Sequence, residues 1–292
     1  MANETRVNLQ HLLEDIRDSY TSPLAEVIVT ELVANSLDSH ATKIDFIVDA
    51  AVGRLICLDN GNGMRRVDLK NYHNIAASTK TRGAGIGFAG VGSKLSLLIA
   101  DRVITETKGG HGTRSASEWR LASAFRAPWK YIPFTGLVTT PRGTAIAVYT
   151  RTESSSLLNP EYITDTLLKH FYPLFHEKIV QEVLRFVYPK GITITVNGKI
   201  VRAAVKSGLE HWFRVSLGTL RRPLGAGFLL KTDEELSWLD RFTGMNSATT
   251  ELRTGLAVAT YGKIIKVGWE WIGISPRHKE QLYGIVEVPA LA

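Results

Sequence analysis

The stretch "TELVANSLDSH", residues 30–40, constrains the fold more than any other part of the chain. Read as a helix, it sets Val29, Leu32, Val33 and Leu37 on an ordinary core-facing surface. Glu31, Asn35 and Asp38, spaced i, i+4 and i+7, fall on one further stripe. A surface helix scatters lysines and arginines over its outer side, yet no basic residue lies between Glu26 and Asp38. The helix is therefore read as enclosed, and its polar stripe asks for a partner other than water.

The order of elements around it indicates an α+β fold. Leu9, Leu12, Leu13 and Ile16 have helical spacing. A second helix is expected to start at Ser22-Pro23, with Ser22 as cap and Pro23 in the first turn. "KIDFIVD" (43–49) alternates with period two, "GRLICLD" (53–59) follows after a Gly turn, and together they read as a hairpin. "RRVDLKNYHNIA" is a short helical piece, and a glycine-rich run at 83–92 leads into a helix over 93–100. Strands follow at "RVITETK", "ASEWRLA" and "RGTAIAVYT". This order predicts a two-layer α/β sandwich, with helices on one face of a mainly antiparallel sheet. The polar "RTESSSLLNP" (151–160) divides the chain into an expected first domain, 1–155, and a smaller α+β domain, 156–292. In the latter, Asn159-Pro160 starts a helix, Asn197-Gly198 marks a hairpin, and 256–274 and 283–291 add strands.

Composition narrows the classes. The 292 residues carry 44% hydrophobic and 22% charged residues, ordinary for a globular protein. The one cysteine, Cys57, excludes an internal disulfide, and the eight histidines show no zinc-type spacing. No signal-type or membrane-spanning apolar run is present, so a cytoplasmic protein without membrane contact is expected, or a nuclear one in a eukaryote. A net charge of +7 leans towards an acidic partner such as DNA, although the basic residues are spread along the chain.

Two further motifs bear chemistry. "LDNGNGM" (58–64) ends a strand on Asp59, Gly61 and Gly63. "STKTRGAGIGFAGVGSKLS" (78–96) runs Gly83, Gly85, Gly87, Gly90 and Gly92 straight into a helix, flanked by Lys80 and Lys94. Such a run frees backbone N–H groups to face phosphates, and the lysines add point charges. The spacing Gly85, Gly87, Gly90 fits a dinucleotide fingerprint, but no βαβ unit surrounds it. The G-x-x-x-x-G-K-[ST] phosphate loop is excluded because Leu95 follows Lys94.

In order, E-x-x-x-N-x-x-D, D-x-G-x-G, a glycine-rich lid and Gly143-Thr144 before a strand resemble the gyrase, heat-shock chaperone, histidine kinase and MutL (GHKL) superfamily of ATP-binding domains. The resemblance covers roughly residues 22–150 and is nearest to the microrchidia and MutL branches. It implies the Bergerat-type ATP-binding fold, ATP and Mg²⁺ as ligands, and Glu31 as the general base that activates the attacking water. It further implies that Asn35 ligates Mg²⁺, a hard ion suited to an amide oxygen, and that Asp38 lies near the adenosine. Asp59 would accept the adenine amino proton, with Gly61 and Gly63 leaving room for the base and Thr144 reaching Asp59 or adenine through water. Met64, Ser78, Lys80, Gly85, Gly87, Gly90, Val91, Gly92 and Lys94 complete the implied nucleotide set.

By the same resemblance, the second domain is a transducer of ribosomal-protein-S5 type, and ATP binding closes a homodimeric clamp or switch, acting on DNA or on protein clients. Such transducers return a lysine to the γ-phosphate from a loop after their last strands, about where "EVPALA" ends. Lys263, Lys266 and Lys279 lie in that region.

Overall fold

A computed structural model describes residues 7–75, 86, 92–109, 112–203, 209–216, 223–231, 255–273, 277 and 282–291. These fall into two compact units: one holds the described residues up to 164 except 86, together with 193–200, and the other holds 86, 165–192 and those from 201 on.

The first unit opens with α1 (Leu9–Asp18), whose first turn is capped by the Asn8 side chain accepting from His11 N–H at 3.1 Å. Helix α2 (Leu24–Asp38) starts one residue later than the Ser-Pro signal suggests. Pro23 has an extended backbone and takes the cap position, its carbonyl accepting from Val27 N–H at 3.1 Å; among the described residues no side chain caps the end. Eleven residues of α2 are buried, Glu26 and Glu31 among them, as the absence of basic residues required.

Eight strands form the sheet of this unit: β1 (Lys43–Asp49), β2 (Arg54–Asp59), β3 (Ala100–Lys108), β4 (Arg114–Trp119), β5 (Trp129–Ile132), β6 (Gly143–Thr150), β7 (Thr193–Val196) and β8 (Lys199–Ile200). Their order is β5-β4-β3-β6-β2-β1-β7-β8, antiparallel except for the β1–β7 pair. A short helix, α3 (Arg66–Tyr72), follows β2, and a buried 3-10 helix spans Gly92–Leu98, where an α-helix over 93–100 was expected. That 3-10 helix packs on α2.

Register divides the sheet into two faces. Phe46, Cys57 and Ile146 share one row, and Ile44, Asp59 and Thr144 the next, all on the face towards α2. The opposite face carries Ile56, Leu58, Ile104, Ala145 and Ala147, which form a second small core with Val138. The loop after β5 covers that core and is fastened by Glu106. Its fully buried carboxylate accepts from Thr135 N–H (2.6 Å), the Thr135 hydroxyl (2.8 Å), Gly136 N–H (3.1 Å) and Val138 N–H (2.8 Å). Four donors replace the water that a buried carboxylate loses. The fold is thus the expected two-layer α/β sandwich, with a strapped-down loop over part of its outer face.

Helix α4 (Pro160–Phe175) carries the chain into the second unit. Asn159 caps it, accepting from Glu161 N–H at 2.9 Å, and a kink at Phe171 lies just before Pro173. Helix α5 (Glu177–Glu182) follows, and then the sheet of β9 (Leu209–Val215), β10 (Gly225–Lys231), β11 (Gly255–Thr260), β12 (Lys263–Gly268) and β13 (Leu282–Glu287). Its order is β12-β11-β13-β10-β9, with β11 and β13 parallel.

One expectation is corrected here. The Asn197-Gly198 hairpin, read as part of the second domain, adds β7 and β8 to the first unit's sheet. Its turn is as predicted, with φ of 46° at Asn197 and 79° at Gly198. The Asn197 side chain ties it across to β1, accepting from Val48 N–H at 2.7 Å. Alternation along the segment defined the strands but not the edge they extend.

Candidate functional site

A pocket of about 420 Å³ opens in the first unit between α2, the end of β2 with its following turn, α3, the 3-10 helix and β6. Its floor is Asp59, 7% exposed. Several bonds fix this carboxyl. Asn60 locks the turn to the start of β1, its Oδ1 accepting from Thr42 and Lys43 N–H at 2.8 Å each. Gly61 N–H donates to Asp59 Oδ1 at 2.8 Å, and Thr144 N–H also reaches the carboxyl. Ser36 Oγ lies 3.4 Å from Oδ2, but its one proton has a shorter bond, 3.0 Å, to the Leu32 carbonyl. Ser39 likewise donates at 2.8 Å to the Ser36 carbonyl. Two backbone donors therefore carry most of the compensation, and burial outweighs them: the Asp59 carboxyl is pushed up to about 6.

The turn glycines have a reason different from the one expected. A Cβ at Gly61 would overlap Ser39, and one at Gly63 would overlap the Lys108 carbonyl. Gly63 also has φ of 64°, the left-handed region. The space their missing side chains leave is filled by protein, so they serve close backbone approach. Gly63 and Met64 nevertheless border the pocket.

From α2, Asn35 and Asp38 line the pocket one turn apart. Glu31, the third member of the stripe, is 2% exposed and is not among the described lining residues. Its side chain lies against Gly92, where an added Cβ would overlap the Glu31 Cγ and carboxyl. Its charge is felt by Tyr20, whose phenol is pushed up to about 12 by burial first and Glu31 second.

Lys94 reaches the pocket from the 3-10 helix, 3% exposed, its Nζ donating to the Asn74 carbonyl at 2.6 Å and standing 6.0 Å over the Tyr72 ring. Burial brings the ammonium down to about 8. Tyr72 donates to Ser93 Oγ at 3.3 Å, so α3 and the 3-10 helix are joined at the pocket wall. His73, read as a surface or satisfied histidine, is a satisfied one. It stacks on Trp129 at 4.1 Å, its Nδ1 pairing with the Leu69 carbonyl at 2.7 Å and its Nε2 with Ser117 at 3.1 Å.

The structure therefore brings Asn35, Asp38, Asp59, Gly63, Met64, Lys94 and Thr144 to one pocket. Gly61, Glu31 and Gly92 are not among its described lining residues. Ser78, Lys80, Gly85, Gly87, Gly90 and Val91 lie outside the described residues. Of the polar lining residues, sequence reasoning missed Ser36, Ser39, Asp68, Asn71, Tyr72 and Ser93. Helical spacing on α2 could have found Ser36 and Ser39, which follow Asn35 and Asp38 by one residue each. Nothing in the α3 sequence sets Asp68, Asn71 and Tyr72 apart. Among the described residues no group of three or more His, Cys, Asp or Glu could hold a metal ion by itself. A cation here would need oxygens from a ligand beside Asn35, which suits an ion that arrives with phosphates.

The family model described as "Histidine kinase-, DNA gyrase B-, and HSP90-like ATPase" matches residues 21–135. The match contains α2, the Asp59 turn, α3 and the 3-10 helix, and supports the GHKL superfamily and nucleotide binding in general terms. No curated protein matches the chain. Among the described residues, no helix is long and apolar enough to cross a membrane.

Proposed function

We propose that the chain binds ATP with Mg²⁺ in this pocket and hydrolyses it to drive a homodimeric clamp or switch that acts on DNA. The observation that carries the reading is the buried Asp59 at the pocket floor, held by two backbone N–H groups, with Asn35, Asp38 and Lys94 around it. A carboxylate in this position accepts one exocyclic amino proton, which selects adenine over guanine. Lys94 neutralises phosphate charge, and Asn35 offers its oxygen to Mg²⁺; the metal supplies charge neutralisation of the phosphates. Glu31 is the base that takes the proton from the attacking water. The basic sequence, with a net charge of +7, favours the DNA reading over a chaperone-like clamp on protein clients. Binding to DNA would then weaken steeply with added salt.

A second reading has its own observation. Glu31 lies beneath Gly92, off the described pocket lining, which favours a nucleotide-binding module with little turnover. The two readings separate on Glu31→Ala. The ATPase reading expects turnover to fall at least about a hundredfold while ATP binding stays, as for loss of a general base. Equal turnover in parent and variant would leave only the binding module. Binding itself is tested by calorimetry of a non-hydrolysable ATP analogue with Mg²⁺. Parent binding with loss in Asp59→Asn supports the adenine floor; no binding in the parent overturns the reading.

A further inference from the structure

Behind the pocket floor lies a buried hydroxyl that neither the motifs nor the pocket lining includes. Thr107, on β3, is 0% exposed. Its Oγ1 accepts from Met64 N–H at 2.7 Å, donates to the Gly143 carbonyl at 3.1 Å and stands 3.3 Å from Thr144 Oγ1. One hydroxyl thus joins three segments: the end of the Gly-rich turn, the start of β6, and β3 itself. The geometry is saturated, since a hydroxyl has one proton and two lone pairs. The proton goes to Gly143, one lone pair to Met64, and the other is open to the Thr144 hydroxyl.

The segments it joins are those that define the floor. Thr144 pairs across the ladder with Asp59 and donates its N–H to that carboxyl. Met64 and Gly63 form the rim of the pocket, and Gly63 abuts the carbonyl of Lys108, the residue after Thr107. Met64 N–H lies past the end of the β2 ladder, so its bond to Thr107 substitutes for a missing strand partner.

We propose that Thr107 is a positioning residue for adenine recognition: it sets the height of the Gly63–Met64 rim and the rotamer of Thr144 relative to Asp59, and so contributes to base selectivity without touching the base. This role rests on the ATP reading above. It is distinct from general support of the core, because Thr107→Val keeps the shape and removes only the hydroxyl. Thr107→Ser keeps the hydroxyl and removes a methyl.

The test is calorimetric binding of Mg·ADP and Mg·GDP to the parent, Thr107→Val and Thr107→Ser, with amide hydrogen exchange at Met64. The valine variant is expected to bind ADP about tenfold more weakly, the scale of one buried hydrogen-bond network. It should also narrow the ADP-over-GDP preference and exchange the Met64 amide faster. The serine variant should stay within about twofold of the parent on both counts. A purely structural role would lower thermal stability and leave the ADP-to-GDP ratio unmoved, and that result overturns the proposal. If the valine variant does not fold, Thr107→Ala removes the same hydroxyl with less crowding and is judged by the same ratio. A parent that binds neither nucleotide overturns the ATP reading and this role with it. A parent that binds while the ratio stays fixed in the valine variant overturns this role alone.

Discussion

Two buried carboxyls, one in each unit, meet the same problem with different results. Asp59 in the first unit is pushed up to about 6, whereas Glu287 at the end of β13 in the second is pushed up to about 8, burial being the leading cause in both. Asp59 sits on a pocket floor, and its surroundings include two backbone N–H groups aimed at it. Glu287 is 0% exposed beneath the β11–β12 turn. Its Oε2 accepts from Gly262 N–H at 3.1 Å, and Tyr261 N–H also reaches the carboxyl, while Oε1 has no hydrogen-bond partner among the described residues. An acid that keeps one oxygen without a donor is best neutral, and near neutral pH Glu287 is mostly protonated. Both acids have two backbone donors, and what holds Asp59 lower is the further help of the Ser36 and Ser39 hydroxyls beside it.

The largest effect that would break this comparison is in Glu287→Gln. The folded value of about 8 stands above the ordinary 4.5. The contribution to stability is therefore fully present below 4.5 and drains away as pH rises to 8. The glutamine variant lacks that slope. At pH 9 it should be more stable than the parent by about 2–4 kcal/mol in urea titrations, and near pH 4 indistinguishable from it. A parent-like slope in the variant would mean that the carboxyl ionises freely inside the fold.

Asp59→Asn should divide function from stability. Nucleotide affinity is expected to fall about a hundredfold, because an amide that accepts from Gly61 and Thr144 turns its NH₂ towards the adenine amino group. Stability at pH 7 should change by no more than about 1 kcal/mol, since the buried charge is removed while an oxygen that accepts from the two N–H groups remains. A large loss of stability would mark Asp59 as a structural anchor like Glu106.

The smallest effect is a pH profile. With Asp59 titrating at about 6 instead of its ordinary 3.8, ADP affinity of the parent should weaken below pH 6, reaching roughly tenfold at pH 5. Protonation puts a donor where the base needs an acceptor. Affinity constant down to pH 4 would place the carboxyl in its ordinary range.

Much of this was legible in the sequence where the cause is local. Apolar spacing gave α2, period-two alternation gave β1, the apolar run after a Gly turn gave β2, and Asn159 and Asn197-Gly198 marked a cap and a turn that the fold contains. Strand β5 was missed because its four residues, between Pro128 and Pro133, are too few to show a period. Strands β9 and β10 were missed as well, since Gly225 and Gly227 interrupt the apolar pattern of the latter. The sheet to which β7 belongs is set by a parallel pairing across about 150 residues of chain, which no window reads. In the site, Asn35, Asp38, Asp59 and Lys94 stood out by residue type and spacing. Thr107 and Tyr72 did not, because an ordinary threonine in a strand acquires its role only when three segments meet on it.

The contact between Gly92 and Glu31 has a consequence for how sequences of this kind can change. A methyl group at position 92 would overlap the Glu31 side chain where it now lies, so that side chain would have to shift. A Gly92→Ala change would displace the Glu31 side chain from its present position unless residue 31 were shorter, and a shorter residue at 31 cannot extend a carboxylate as far. The two sites, 61 positions apart in the chain, are therefore coupled: any side chain added at 92 is felt first by the acid at 31.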